Sequence, residues 1–109
     1  MSLLDNNIDI TEESLKSIGF FRAAYDVDVE IAIHEWIKVP SYLKFIPLNK
    51  KFGSDGYISI RYIPYIEELT ISTDNFWSVK KSEKVYNHIN DINEINILIH
   101  QYIKDNEHF

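Results

Sequence analysis

The sequence predicts an α+β fold: a short N-terminal helix, a mostly antiparallel sheet of four to six strands, and a C-terminal helix packed on one sheet face. Three observations carry that prediction. In residues 91–105, DINEINILIHQYIKD, the apolar side chains of Ile92, Ile95, Ile99, Tyr102 and Ile103 recur every three or four positions, so they share one stripe of an α-helix. From residue 25 onward the apolar period shortens to two and the residue types shift to Ile, Val and Tyr, which suit strands. The connections between these runs are short, which favours antiparallel hairpins over parallel crossovers. A striped helix needs a flat apolar surface, and the strands can supply one.

Residues 1–9 read as a loose lead-in. A helix is predicted over 12–18, with Thr11 as N-cap and Glu12 and Glu13 at the positive end of the helix dipole. Ile10 and Leu15 fit a hydrophobic staple, and Gly19 followed by Phe20 fits a Schellman ending. Residues 25–39 then read as one half-buried strand. Tyr25, Val27, Val29, Ile31 and Ile33 fall on one face, and Asp26, Asp28, Glu30, Ala32 and His34 on the other. Pro40 cannot donate to a strand ladder and closes it. A shorter strand is predicted over 41–48 and a glycine-rich turn, NKKFGSDG, over 49–56. Residues 57–63 form the next strand, with Ile58, Ile60 and Tyr62 on one face, and Pro64 breaks it. Extended structure resumes over 66–72, turns at 73–75, and continues over 76–79. Residues 80–83 read as a polar turn and 84–89 as a last strand. Asp91 is the expected N-cap of the closing helix, with Glu94 three residues later.

At 109 residues the chain is expected to form one domain over 1–109. It has no cysteine, which excludes disulfides, thiolate metal sites and a cysteine nucleophile. No apolar run is long enough to span a bilayer, and residues 1–10 lack the basic and apolar regions of a signal peptide, so a cytoplasmic setting is expected. The net charge of −6 argues against nucleic acid as a primary partner, because phosphate contacts need cations. The charge is segmented. Residues 1–35 hold eight acids against Lys16 and Arg22, whereas residues 36–66 hold five bases against Asp55 alone.

The opening ITEESLKSIGF, with its Thr-Glu-Glu start, Leu-centred turn and Gly-Phe exit, resembles that of small uncharacterised bacterial and phage-associated proteins. Those proteins run through a few strands to a closing helix, so the resemblance implies the same layout. It implies no activity and no site residue.

The densest group of functional side chains is Asp26, Asp28 and Glu30, with His34 further along the same strand face. Alternate strand residues stand about 6.8 Å apart. Such a row suits a cation site, a general acid–base pair or an acidic stripe for a basic partner. Before any of these it suits a solvated face whose charges deter edge-to-edge aggregation. The histidines show no ligand spacing, and the sequence has no HExxH, GxSxG or phosphate-binding glycine loop. No metal and no cofactor is expected. The aromatic residues exceed what one sheet face hides, and Tyr57, Tyr65 and Trp77 are candidates for a contact surface. The expected function is that of a non-enzymatic protein-binding or accessory domain, in its most concrete form an immunity- or antitoxin-like neutralising partner. Its expected contact residues are Asp26, Asp28, Glu30, His34, Tyr57, Tyr65 and Trp77. The alternative is a small hydrolase or ligand-binding domain that uses carboxylates in a cleft. The expected partners are another protein and, weakly, a second copy of the chain; neither nucleic acid nor a membrane is expected.

Overall fold

The chain commits to helix at Thr11 for a local reason. Its Oγ1 accepts from the Ser14 N–H at 3.1 Å, and Ser14 Oγ accepts from the Thr11 N–H at 2.8 Å, so two otherwise orphaned donors are satisfied reciprocally. The helix α1 (Glu12–Ser17) ends where Gly19 enters the left-handed region at φ 97°. There the Phe20 N–H donates to the Leu15 carbonyl at 2.9 Å and Gly19 to Lys16 at 3.1 Å, the Schellman pattern. Leu15 and Phe20 are both buried in the main core.

The computed structural model describes residues 10–47, 56–75 and 82–105. Within them the strands are β1 (Phe21–Arg22), β2 (Val27–Ala32), β3 (Glu35–Val39), β4 (Tyr42–Pro47), β5 (Gly56–Ile63), β6 (Glu68–Asn75) and β7 (Ser82–Tyr86), and the closing helix is α2 (Ile92–Asp105). A 3-10 turn, Pro64–Ile66, separates β5 from β6. The class is α+β. Five strands form an antiparallel sheet in the order β1-β4-β5-β6-β7, and among the described residues β2 and β3 form a separate two-stranded sheet. The expected lead-in over 1–9, the turn at 49–55, the strand at 76–79 and residues 80–81 lie outside the described residues.

Register decides which side chains meet. The pairs Tyr42↔Tyr62, Ile60↔Ile71 and Tyr62↔Leu69 put alternate residues of β4, β5 and β6 on one face. Ile58, Ile60, Tyr62, Leu69 and Ile71 on that face are buried against Ile92, Ile95, Ile99 and Tyr102 of α2. The predicted helix stripe is therefore the one that docks. Asp91 caps α2 as expected, its Oδ1 accepting from the Asn93 N–H at 3.0 Å. Two buried hydroxyls tie sheet to helix. Tyr62 donates to the Ile89 carbonyl just before α2, and Thr73 Oγ1 meets the Tyr102 hydroxyl. Burial raises the Tyr62 phenol to about 12, with the Glu67 charge as the lesser cause. Lys44 lies on the same face and donates from Nζ to the Ile18 carbonyl at the end of α1. Both helices thus cover one side of the sheet.

Three expectations need correction. Residues 25–39 are not one strand but two, β2 and β3, joined by a turn at Ile33 and His34. Residues 73–75 do not turn; they complete β6, because each pairs in register with β5. Ser82 and Glu83, expected in a turn, begin β7 opposite Thr73 and Ser72.

Candidate functional site

The β2–β3 hairpin carries the acids singled out in the sequence, and its construction sets where they point. The ladder runs Val27↔Val39, Asp28↔Lys38, Val29↔Ile37 and Glu30↔Trp36. Val27, Val29, Ile37 and Val39 share the inner face, which packs on Ile63 at the end of β5 as a second, small core. Asp28, Glu30, Trp36 and Lys38 share the outer face. The hairpin is an arm: its ladder is separate from the main sheet, and its inner face meets the body at Ile63.

At the far end the regular alternation breaks. The register shifts between Glu30 and Ala32, so Ile31 is the extra residue of a β-bulge. His34 takes the left-handed conformation at φ 64°, a region that non-glycine residues visit uncommonly and histidine more readily than most. Ile31 and Ile33 were expected on the buried face with Val27 and Val29. Instead Ile31 is exposed, and Ile33 at the tip is 83 % exposed. Tyr25, at the start of the same expected strand, is also exposed. Trp36 is 59 % exposed on the outer face, opposite Glu30. Isolated apolar side chains are normal on a surface, but here several stand on one two-stranded arm.

The acids are exposed and do not converge. Asp28 Oδ1 lies 3.3 Å from Lys38 Nζ, its cross-strand neighbour. Asp26, just before β2, lies 3.6 Å from Arg22 Nη2. Both pairs are solvated and worth at most about 1 kcal/mol. Glu30 and His34 are exposed. Among the described residues no three His, Asp or Glu side chains come together as a metal site would need.

The remaining candidates lie elsewhere. Tyr57 is on the side of the main sheet opposite the helices, its ring 5.6 Å from Phe45 in an edge-to-face arrangement. Tyr65 is exposed on the 3-10 turn. Trp77 lies outside the described residues. The structure therefore groups Asp26, Asp28, Glu30 and His34 on the arm and separates them from Tyr57 and Tyr65. Sequence reasoning missed Ile33 as a surface residue and did not single out Trp36, one of the surplus aromatics, as a contact residue. The signal for them was weak, because the hairpin turn contains no Gly, Asn, Asp or Pro.

Set against protein-family models, curated proteins and solved structures, the chain matches none of them. Among the described residues no helix is long and apolar enough to cross a membrane.

Proposed function

We propose that this chain is a non-enzymatic protein-binding domain whose β2–β3 arm docks onto a basic partner protein in a cytoplasmic setting. One observation carries the reading: the arm presents Ile31, Ile33 and Trp36 to solvent beside Asp28, Glu30 and Glu35. Apolar anchors ringed by charge are how protein interfaces combine affinity with steering. In its most concrete form the arm covers a basic site on another protein and blocks it, as an immunity- or antitoxin-like partner would. The alternative, a hydrolase or ligand-binding domain, needs carboxylates gathered in a cleft. The arm's acids instead stand in solvent, two of them beside cations, and that favours the binding reading.

A photo-crosslinking side chain placed at Ile33 or at Trp36 tests this in cells. The expected result is a discrete adduct with a basic protein from both positions and none from Ile97, which is equally exposed but lies on the back of α2. Adducts from Ile97 alone, or none from the arm, would remove the arm as the docking element.

A further inference from the structure

We infer that the helix-free face of the main sheet is the contact surface of a weak homodimer, in which Phe45 of one copy packs on Phe45 of the other. The face is defined by the strand register. Phe21↔Leu43, Leu43↔Arg61, Arg61↔Thr70 and Thr70↔Val85 make one row across all five strands. Phe45↔Ser59, Ser59↔Ser72 and Ser72↔Glu83 make the next, and Pro47↔Tyr57 begins a third. These residues alternate with the core set, so they point away from both helices. None of Leu43, Phe45, Tyr57, Ser59 or Ser72 is fully buried, and Phe45 is 48 % exposed.

The apolar content of this face is concentrated and ordered. Phe21, Phe45 and Tyr57 form a diagonal ladder, with ring centroids 5.9 Å apart in the first pair and 5.6 Å in the second. Leu43 and Pro47 lie beside them on β4. The molecule is only 22 Å thick along its shortest axis. One sheet and one helical layer, each about 10 Å deep, account for that thickness. The arm packs on the same side of the sheet at its far end, on Ile63, the next outward position of β5 beyond Arg61.

Symmetry and area favour a second copy over other occupants. A two-fold axis running across the strands through Phe45 and Ser59 exchanges the rows on either side of it. Arg61 then lies over Tyr57 of the second copy, a cation–π pair, and Leu43 lies over Pro47. These off-axis contacts are each made twice, while residues of the axial row meet their own copies, Phe45 at one end and Glu83 at the other, where the like charges add to the repulsion. The outward positions of the five strands, each about 4.8 × 6.6 Å, offer roughly 400 Å² per copy. Two copies bury about 800 Å², below a standard interface, which sets the dimer in the weak class. The net charge of −6 on each copy opposes association. The dimer therefore tightens as salt rises, because exposed charges are screened beyond about 8–10 Å. Docking of the acidic arm on a basic partner has the reverse salt dependence, so the two surfaces are distinguishable in solution.

Sedimentation equilibrium from micromolar to millimolar concentration, in low and high salt, tests the inference. The wild type is expected to pass from monomer to dimer, more readily in high salt. Phe45→Ser and Arg61→Glu should each weaken the dimer about tenfold or more, as loss of a central contact does. Trp36→Ser, on the arm, should leave it unchanged. The chain has no cysteine, so Phe45→Cys adds a single reporter. Facing sheets pack about 10 Å apart, and a short bis-maleimide should then join two copies at that position. A strict monomer throughout would overturn the inference. So would a dimer that survives both Phe45→Ser and Arg61→Glu, or one lost on Trp36→Ser. Should Phe45→Ser fail to fold, Arg61→Glu and the crosslink still decide.

Discussion

Removing the Tyr62 hydroxyl gives the sharpest thermodynamic test of the core. Tyr62 is 2 % exposed at the centre of the sheet, and its hydroxyl donates to the Ile89 carbonyl where the chain enters α2. Tyr62→Phe keeps the ring and deletes the donor, leaving that carbonyl without it. At pH 8 the expected cost is about 1–2 kcal/mol. Alkali changes the balance. Burial, and secondarily the Glu67 charge, raises the phenol from 10.0 to about 12 in the folded protein. A neutral acid with a raised folded-state pKa ionises first in the unfolded chain. Its contribution to stability is complete below pH 10 and is lost as pH climbs through 12. The loss amounts to about 1.4 kcal/mol per pH unit, or about 3 kcal/mol across the window. The phenylalanine variant has no such group to ionise, so its deficit relative to wild type should shrink above pH 10, vanish at about pH 11 and then reverse. Urea unfolding of both proteins at matched pH values reads the difference directly and cancels the other tyrosines and lysines. A deficit that stays constant from pH 8 to 11.5 would refute the buried, hydrogen-bonded phenol.

Ile99→Ala should cost about 2–4 kcal/mol in denaturant unfolding, because Ile99 is buried between α2 and the sheet. Ile97→Ala should be close to neutral, since Ile97 is 63 % exposed; the opposite ranking would mean that the helix docks through another stripe. Ser41 is fully buried with its Oγ unpartnered, so Ser41→Ala should leave the melting temperature equal or higher, and a fall of several degrees would reveal a partner for that hydroxyl. Replacing Asp26, Asp28 and Glu30 together by Asn or Gln should change stability by about 1 kcal/mol or less, because their ion pairs are solvated. A much larger loss in thermal unfolding would place those acids in the fold's support.

The sequence shows the two helices clearly because their signals are local and agree with one another. Thr11, Leu15, Gly19 and Phe20 each do what their types favour, and the Ile92-Ile95-Ile99 stripe needs only a flat partner. The hairpin is hidden for the opposite reason. Five apolar residues alternate without a break from Tyr25 to Ile33, and the bulge at Ile31 and the left-handed His34 override that pattern with no glycine to announce them. The register of β4 is equally opaque. Tyr42, Lys44 and Ile46 face the helices while Leu43 and Phe45 face away, so a lysine takes the core side and a phenylalanine the open one. Lys44 can do so because its ammonium reaches the free Ile18 carbonyl at the end of α1, a tertiary contact that no local pattern encodes. The acids were legible as exposed. Whether they converge depends on that hairpin, and so the sequence left it open.

The most direct test of the arm as docking element is paired recovery of its partner by the wild type and by an Ile33→Ser/Trp36→Ser double variant, with the melting temperature of each protein measured alongside. Both substituted side chains are mostly in solvent, so the two proteins should melt within a degree or two of each other. The wild type should recover a basic protein at low salt and progressively less as salt rises, and the double variant should recover at least about tenfold less at every salt concentration. Equal recovery by the two proteins, or a double variant that melts far lower because the arm belongs to the core, would contradict the account.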